Sequence, residues 1–433
     1  MAKNSTNRSF LLKNVEKQYF YVTLKLHPQK SNDRSKKMSE SKVSYGIIGV
    51  GSMGSAHSNF IFNSSECELK ALCDIDPQAQ NRLAPSIRES VKFYTDEDKF
   101  FADENIEAVL IAVPHYFHVD LAIKAMQHNK HIIVEKPIAV HKLDAERLLR
   151  EAEKYPHLVK SAMFCQRTLP AHIKLKQLID QNELGRIQRI NWVVTNWFRT
   201  QYYYDSGDWR ASWRGEGGGV LLNQCPHQLD LMQYLFGMPN YVSAAVKLGK
   251  YHKIEVEDEI NAYFEYADGK SANFIASTGE APGINRLEIT GERGLLTMEN
   301  GKLTLLRNEV SSGEYIRTAD NGFSAPAVWR CEIPVPAAAP NHGVGHLPII
   351  ENTAKAIRGK AELIAPMEEG IRGLELGNAI LYSGLKRTAV ELPLDSMAYA
   401  EMLDKLIESS SWQPKKAVKK DNGGDFSASF NVK

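Results

Sequence analysis

The chain has 433 residues, with 53 Lys and Arg against 52 Asp and Glu, and a formal net charge of +1. This length predicts two or three domains with a sizeable core. The balanced charge excludes nucleic acid or an anionic membrane as the main partner on electrostatic grounds. The sequence lacks any apolar run near the ~20 residues that cross a bilayer, so no membrane association is expected. The five cysteines form no C-x-x-C pair, which indicates reduced thiols in a cytoplasmic protein.

The two ends of the chain differ in composition from the rest. Residues 1–40 are basic and end in a polar run, and Lys13, Glu16 and Lys17 interrupt every candidate signal segment. We expect a disordered extension there, with Met38 as a plausible true start. Residues 413–433 are polar and are predicted to form a disordered tail.

The folded part opens on a strand, a glycine turn and a helix. An apolar run from Val43 leads into a G-x-G-x-x-G pattern, which consists of Gly49, Val50, Gly51, Ser52, Met53 and Gly54. A helical stretch follows from about Ser55, and a second apolar strand ends in Asp74, 20 residues after Gly54. A strand before the glycines, a helix after them and an acid at this distance indicate a dinucleotide-binding turn.

Each part of this pattern has a physical reason. Gly49 permits the tight turn, Gly51 lets the backbone approach a pyrophosphate, and Gly54 lets the helix pack closely on the strand. The helix N-terminus presents unpaired N–H groups to the phosphates. Asp74 would accept hydrogen bonds from ribose hydroxyls and repel a 2′-phosphate, which favours NAD over NADP. The rival acid, Asp76, is predicted to be a turn or cap residue. The alternative is a glycine-rich turn in an α/β protein that binds no nucleotide.

Helices and strands then alternate. Strands are predicted at Ile106–Val113, His131–Val134 and Leu158–Phe164, and helices at Leu121–His128 and Leu143–Tyr155. This alternation predicts a parallel, doubly wound sheet, in which ligands bind at the carboxyl ends of the strands. Two segments follow strand ends there, Val113-Pro114-His115-Tyr116-Phe117-His118 and Glu135-Lys136-Pro137.

The second half has β-like runs without helices between the later ones, which suggests antiparallel pairing. The predicted strands are Arg189–Asn196, Tyr241–Leu248, Glu259–Tyr266, Ser271–Thr278 and Arg286–Thr290. Helices are predicted near Ile349–Ile357, Glu368–Lys386 and Met397–Ser409.

Together with a later run, Gly217-Gly-Gly-Val-Leu-Leu-Asn-Gln-Cys-Pro-His-Gln-Leu-Asp230, these motifs resemble the Gfo/Idh/MocA oxidoreductases. The resemblance covers roughly residues 43–410. It implies an α/β protein with an N-terminal, doubly wound Rossmann domain at residues 41–164. It also implies an α+β substrate-binding domain at residues 165–412, with a large, mostly antiparallel open sheet. Family members commonly form homo-oligomers through that sheet, so a dimer or tetramer is expected.

The resemblance also implies catalytic residues. Lys136 would reach the reacting hydroxyl beside the nicotinamide, and His227 is the second candidate for moving the proton. Many family members have Asp four residues before this histidine, whereas this chain has Asn223. That departure puts a conventional base role of His227 in doubt and shifts weight to Lys136. The structural alternatives are a surface lysine and a core histidine.

Further binding residues follow from the same resemblance. The implied cofactor contacts beyond the glycine turn are Asp74, Val113, Pro114, His118, Glu135, Lys136 and Gln166. The substrate candidates are Arg167, Asp208, Trp209, Asn223 and His227. Arg167 would either hold substrate oxygens or pair with an acid between the domains. The aromatic loop with Asp208 and Trp209 suits a polyhydroxylated ring, or else it is a covering or interface loop. His342 and His346 have a metal-like spacing, but nearby Gly and Pro residues argue against a helix, and no metal is predicted.

We therefore predict an NAD-dependent dehydrogenase that oxidises a secondary hydroxyl of a cyclic polyol, sugar or glycoside to a ketone, or the reverse. One alternative is an NAD-dependent glycosidase that oxidises its substrate transiently, eliminates and re-reduces it. The other is a non-catalytic NAD-binding sensor. Lys136 and His227 argue against the sensor, whereas Asn223 leans towards it.

Overall fold

The computed structural model describes residues 41–207, 209–337 and 345–413. The predicted extension, nearly all of the predicted tail, Asp208 and His342 lie outside the described residues. A first sheet holds six strands, all parallel, in the order β3-β2-β1-β4-β5-β6. These strands are β1 (Val43–Ile48), β2 (Cys67–Cys73), β3 (Lys92–Tyr94), β4 (Ala108–Ile111), β5 (His131–Val134) and β6 (Lys160–Ala162).

Helices cover the faces of this sheet, because its central strands are apolar on both sides. All four residues of β4 have no exposed surface, as expected for a parallel strand buried on both faces. The helices of this half are α1 (Ser52–Phe62), α2 (Pro85–Ser90), α3 (Glu97–Phe101), α4 (His118–Gln127) and α5 (Lys142–Ala152). The strand order reverses between β1 and β4, which places the ligand-binding crevice at the carboxyl ends of these two strands.

A second sheet has nine strands in the order β14-β13-β12-β11-β7-β10-β9-β8-β15. The strands are β7 (Ile187–Val194), β8 (Tyr241–Leu248), β9 (Glu257–Glu265), β10 (Ser271–Ser277), β11 (Asn285–Gly291), β12 (Gly294–Glu299), β13 (Lys302–Asn308), β14 (Val328–Ile333) and β15 (Val390–Glu391). All neighbours are antiparallel except β7 and β10, which are parallel. The predicted fold class is confirmed, while β12, β13 and β14 were not predicted.

One face of the second sheet is covered and the other is open. In β9, Ile260, Ala262 and Phe264 are buried, whereas Tyr263 and Glu265 between and beside them are exposed. This period of two is that of a sheet with one solvated face.

The C-terminal helices lie between the two sheets. The helices of this half are α6 (Pro170–Asp180), α7 (Gln201–Asp205), α8 (Val220–Asn223), α9 (Pro226–Phe236), α10 (Ser312–Thr318), α11 (His346–Ile357), α12 (Gly370–Lys386) and α13 (Ser396–Ser409). Helix α12 packs against α9 and β8 on the side of the second sheet and against α5 on the side of the first. A methyl group on Gly373 would lie 3.0 Å from the backbone N of Asp230, so α12 and α9 are in close backbone contact. The predicted domain boundary after residue 164 stays a prediction.

Among the described helices, none is long and apolar enough to span a bilayer. All five cysteines are free thiols, and four of them are buried.

Candidate active site

The glycine turn between β1 and α1 leaves room for a ligand at one glycine only. Gly49 has a φ of +90°, and a side chain there would meet the Ala112 carbonyl oxygen at 2.5 Å. A methyl group on Gly54 would lie 1.8 Å from the carbonyl oxygen of Gly49. By contrast, a methyl group on Gly51 would meet no atom within 4 Å. Gly49 and Gly54 are therefore required by the fold, whereas Gly51 borders open space.

This space fits the pyrophosphate of a dinucleotide. Helix α1 begins after Gly51 without a side-chain cap, so its first N–H groups stay available to phosphate oxygens. The carboxylate of Asp74 accepts hydrogen bonds from the backbone N–H of Val50, at 2.7 Å, and of Asp76, at 2.9 Å. Asp74 is thereby held against the turn, at the position expected for ribose recognition. Asp76 caps the next turn by accepting from Gln78 N at 2.9 Å, as predicted.

His118 braces the two strand ends that flank the crevice. Its ring is buried, with Nδ1 at 2.7 Å from the Pro137 carbonyl oxygen and Nε2 at 2.9 Å from that of Val113. The histidine thus ties the segment after β4, Val113 and Pro114 included, to the segment after β5. The structure therefore gives His118 a supporting role for the backbone at these two strand ends.

Glu135 is a buried carboxylate that orients the residue after it. Its Oε1 lies 2.7 Å from His57 Nε2, and its Oε2 accepts from the backbone N–H of Lys136 at 3.0 Å. Burial raises the pKa of Glu135, but the hydrogen bond and charge of His57 outweigh burial, and the pKa lies well below its usual range. Glu135 therefore stays ionised beside Lys136.

Lys136 projects from the end of β5 across to the second half of the chain. Its Nζ donates to the backbone carbonyl oxygen of Asn223 at 3.0 Å. Burial lowers the pKa of the Lys136 ammonium, against the opposing charge of Glu135. A lysine with a lowered pKa releases its proton more readily near neutral pH, which suits a general base.

His227 lies near Lys136 without a carboxylate partner. Its ring is buried, with Nε2 at 3.7 Å from the thiol of Cys165. Its Nδ1 is buried and has no hydrogen-bond partner among the described residues. Burial, and then the charge of Lys136, lower the pKa of His227 well below its usual value. The imidazole is therefore neutral at physiological pH.

The Asn223 side chain is directed to groups other than His227. Its Nδ2 donates to Glu216, and its Oδ1 accepts from Tyr203 Oη at 3.3 Å and from Gln224 Nε2 at 3.1 Å. Glu216 is 2% exposed and was not among the predicted site residues. Only an indirect signal could have indicated Glu216. Asn223 stands where many family members have an Asp, which raises the question whether another carboxylate lies nearby.

Arg167 is committed to an ion-pair cluster. Its Nε and Nη2 donate to the two carboxylate oxygens of Asp230 at 2.8 and 2.6 Å, and its Nη1 donates to Glu369 at 2.5 Å. Its guanidinium also stacks on Tyr234, at 4.3 Å from the ring centroid. Arg167 thus pairs with acids, as one of its two predicted roles requires, but both acids lie within the same predicted domain as Arg167 and not between the domains. Its neighbour Gln166 accepts a long hydrogen bond from Gln228 at 3.4 Å.

Two aromatic rings, Tyr203 and Trp209, and the guanidinium of Arg210 lie beside Asn223. With Lys136 and His227 they form the group that we call the Lys136 pocket. The guanidinium of Arg210 lies 4.5 Å from the Trp209 ring centroid and 4.9 Å from that of Tyr203, whose hydroxyl it also contacts at 3.1 Å. Trp209 meets His115 edge-on, with ring centroids 5.2 Å apart. Lys136, Asn223 and Trp209 are thus linked through Tyr203 and Arg210. In the described ranges, no three His, Cys, Asp or Glu side chains are grouped so that they could hold a metal ion.

The parallel sheet and the glycine turn at the point where its strand order reverses are those of a dinucleotide-binding fold. Residues 43–162 match the model of an oxidoreductase family with an NAD-binding Rossmann fold. Residues 172–297 match the model of the GFO/IDH/MocA C-terminal domain. The chain therefore belongs to the Gfo/Idh/MocA family, its cofactor is NAD, and the predicted resemblance is confirmed.

Three proteins are similar to this chain over most of its length. Levoglucosan dehydrogenase of Pseudarthrobacter phenanthrenivorans is 25% identical over 404 residues, which span 81% of this chain and 98% of that protein. Inositol 2-dehydrogenase of Rhizobium meliloti is 23% identical over 358 residues, 81% of this chain and 99% of that protein. The structure of the WlbA dehydrogenase of Chromobacterium violaceum, in complex with NADH and UDP-GlcNAcA, has a TM-score of 0.68 at 24% identity and covers 82% of this chain and 97% of that one. At that identity the structural likeness supports the fold.

Proposed function

We propose that the protein is an NAD-dependent dehydrogenase that oxidises a secondary hydroxyl of a cyclic polyol, sugar or glycoside to a ketone, or catalyses the reverse reaction. The observation that carries this proposal is the placement of Lys136. Strand β5, which it follows, is two strands from β1 in a parallel sheet, so about 10 Å separates the end of β5 from the end of β1, where the glycine turn begins. One dinucleotide bound on the turn would span that distance.

The chain's own groups account for the proton in this reaction. NAD, when bound on the glycine turn, supplies the acceptor for the hydride. In the oxidation, neutral Lys136 Nζ accepts a hydrogen bond from the substrate hydroxyl, and the ammonium formed by proton transfer donates back to that oxygen and stabilises its negative charge. Because burial lowers its pKa, Lys136 takes the proton in the oxidative direction and returns it in the reductive one. Neutral His227 belongs to the Lys136 pocket and contributes a hydrogen-bonding group without a charge.

The wall of the pocket supports a polyhydroxylated ring as substrate. Trp209 and Tyr203 offer flat faces to the C–H side of a sugar ring, and Arg210 between them offers donors to its hydroxyl oxygens. The names of the similar proteins, a levoglucosan dehydrogenase and an inositol dehydrogenase, point to the same class of substrate.

We also propose that the protein is a homo-oligomer assembled through the second sheet. Tyr241 and Tyr263 lie on neighbouring strands of the open face and are 45% and 41% exposed. Light scattering of the purified protein should give the mass of a dimer or tetramer, and a monomer at micromolar concentration would refute this assembly.

The test of the proposed activity is the absorbance of NADH across a panel of inositols, free sugars and glycosides. We expect net NADH with one class of substrate, and its loss in Lys136→Ala without loss of NAD binding. Tight NAD binding without net NADH on any substrate would contradict the dehydrogenase. Product analysis on glycosides would then separate the glycosidase from a non-catalytic sensor.

A further inference from the structure

Glu216 is a buried carboxylate in the pocket that the mechanism above does not use. It is 2% exposed, and a carboxylate at that depth needs several partners to be tolerated. One oxygen accepts from the backbone N–H of Ala211 at 2.7 Å, and the other accepts from the side-chain amide of Asn223. Ala211 itself has a φ of +58°, in the left-handed region that residues with a side chain disfavour. The loop therefore adopts an unfavourable backbone conformation in which one of its amides points at this carboxylate.

Asn223 connects Glu216 to Lys136. Its side-chain oxygen is fixed as an acceptor by Tyr203 and Gln224, which leaves its NH₂ group to face Glu216. Its backbone carbonyl oxygen is the acceptor for Lys136 Nζ at 3.0 Å. Both ends of the asparagine are thus used, one by the carboxylate and the other by the amine.

We propose that Glu216 is the positioning residue for Lys136: through Asn223 it fixes the carbonyl that holds the lysine amine, and its carboxylate adds a negative charge near that amine. Glu216, seven residues before Asn223, thus places a carboxylate against the side chain of this asparagine and not against His227. This inference rests on the proposed function, because it assigns a role in handling the same proton.

The charges around Glu216 determine the direction of the effect. Lys136 and Arg210 are the cations near Glu216. Burial raises the pKa of Glu216, and these two cations and the hydrogen bonds to Ala211 and Asn223 oppose that rise. The charge of Glu216 raises the pKa of Glu257 in β9 and of Tyr204 in α7. The ring of His115 forms a hydrogen bond with the backbone of Glu216. The other groups whose charges act on Lys136 are Glu135 and Cys165, which raise its pKa, and Arg210, which lowers it. An ionised Glu216 also raises the pKa of Lys136, so its removal lowers that pKa further.

The test is the pH profile of kcat/KM in Glu216→Gln. Oxidation requires neutral Lys136 and reduction requires the ammonium, so the limb assigned to Lys136 moves to lower pH in both directions. We expect a displacement of about one pH unit and a fall in kcat of about tenfold or more, because the introduced amide has one acceptor oxygen for two donors, the Asn223 NH₂ group and the Ala211 N–H. NAD affinity should stay within about threefold of the wild-type value, since Glu216 lies outside the glycine turn.

Two further variants separate this role from simple support of the loop. Glu255 accepts from the backbone N–H of Trp213 in the same loop, at 2.8 Å, so Glu255→Gln removes a loop-holding charge without touching Asn223. It should leave the pH limb in place. The double variant Glu216→Gln with Asn223→Asp restores complementarity, because the new amide donates to the new carboxylate. It should return the limb to within about 0.3 pH units of the wild-type position.

A second readout does not depend on turnover. The rate at which acetic anhydride labels Lys136, followed by peptide mass spectrometry against pH, reports the proton affinity of this amine directly. A labelling midpoint lower by about one unit in Glu216→Gln, and unchanged in Glu255→Gln, is the expected result. Equal midpoints in wild type and Glu216→Gln would overturn the inference. If no substrate is found, the proposed function fails while the labelling result still decides the role of Glu216.

Discussion

The glycine turn and the Lys136 pocket lie at the same edge of the first sheet but are built in different ways. The turn is fixed by backbone atoms, most closely within its own segment, where a Gly54 methyl would lie 1.8 Å from the Gly49 carbonyl oxygen, and also by the Ala112 carbonyl against Gly49. The pocket is fixed by groups far apart in the sequence, such as the Lys136 amine and the Asn223 carbonyl oxygen, which meet across 87 residues. A binding site made of local backbone geometry can therefore be predicted from sequence, whereas one made of groups far apart in the sequence requires the fold.

The largest effect should come from a methyl group in the glycine turn. Gly54→Ala places a methyl carbon 1.8 Å from the Gly49 carbonyl oxygen. We therefore expect either loss of folded protein or a decrease of at least about 4 kcal/mol in the free energy of unfolding. Gly51→Ala, its matched control, has open space around it and should change stability by less than about 1 kcal/mol. Urea denaturation of both variants measures this.

Gly51, which tolerates a methyl group for folding, should not tolerate one for NAD binding. Gly51→Ala fills the space that a pyrophosphate would occupy, and we expect the NAD affinity of the folded variant to fall by about tenfold or more. Equal NAD affinity in Gly51→Ala and wild type would show that the cofactor does not lie on this turn.

The ion-pair cluster of Arg167 tests the other half of the comparison. Asp230→Ala leaves a buried guanidinium with only part of its partners, which should lower the free energy of unfolding by about 3–5 kcal/mol. Arg167→Met combined with Asp230→Leu removes both charges and should cost less than the single change. The two midpoints of urea denaturation decide the point. A single variant as stable as the wild type would mean that this pair contributes little to folding.

Glu257 links stability to pH. It accepts from the backbone N–H groups of Gly219 and Leu221, and burial raises its pKa to about 7 from a usual 4.5. The folded state therefore binds a proton that the unfolded state releases between pH 4.5 and 7, so stability falls as pH rises through that window, by about 3 kcal/mol. Glu257→Gln should remove most of this slope. Denaturation midpoints at pH 5 and 7.5 measure it, and parallel slopes in both proteins would contradict the raised pKa.

The smallest expected effect concerns the choice of cofactor. Asp74→Ser removes the charge that repels a 2′-phosphate, and Arg82, whose Nη1 contacts the Val50 carbonyl at 3.1 Å, remains nearby as a cation. The ratio of kcat/KM with NADP to that with NAD should rise by about tenfold. Asp76→Ser, a cap-preserving change next door, should leave the ratio where it was. An unchanged ratio in Asp74→Ser would remove Asp74 from cofactor selection.

Sequence patterns were sufficient for most of the first half. The apolar runs that became β1, β4 and β5 are short and continuous, and the glycine spacing fixes the turn between β1 and α1. The three strands at Gly294–Glu299, Lys302–Asn308 and Val328–Ile333 were missed, although Leu296 and Met298 alternate with polar positions and could have indicated a strand.

The pocket was harder to predict for a physical reason. Glu216 stands between Gly215 and Gly217, where a carboxylate usually belongs to a solvated loop, and only the fold brings it to Asn223. Arg167 was assigned two roles of equal standing, because the sequence does not reveal that Asp230 and Glu369 surround it. Side-chain partners at long sequence distance leave no pattern in one sequence.

The central claim is that Lys136 handles the proton of an NAD-dependent oxidation. The most direct measurement is stopped-flow hydride transfer against pH, for wild type and Lys136→Met, with the substrate class that the panel identifies. We expect a pH-dependent limb in the wild type. In the variant we expect a rate lower by about 10²–10⁴-fold, loss of the limb and unchanged NAD affinity. A Lys136→Met variant that transfers hydride at the wild-type rate, with the limb intact, would contradict it.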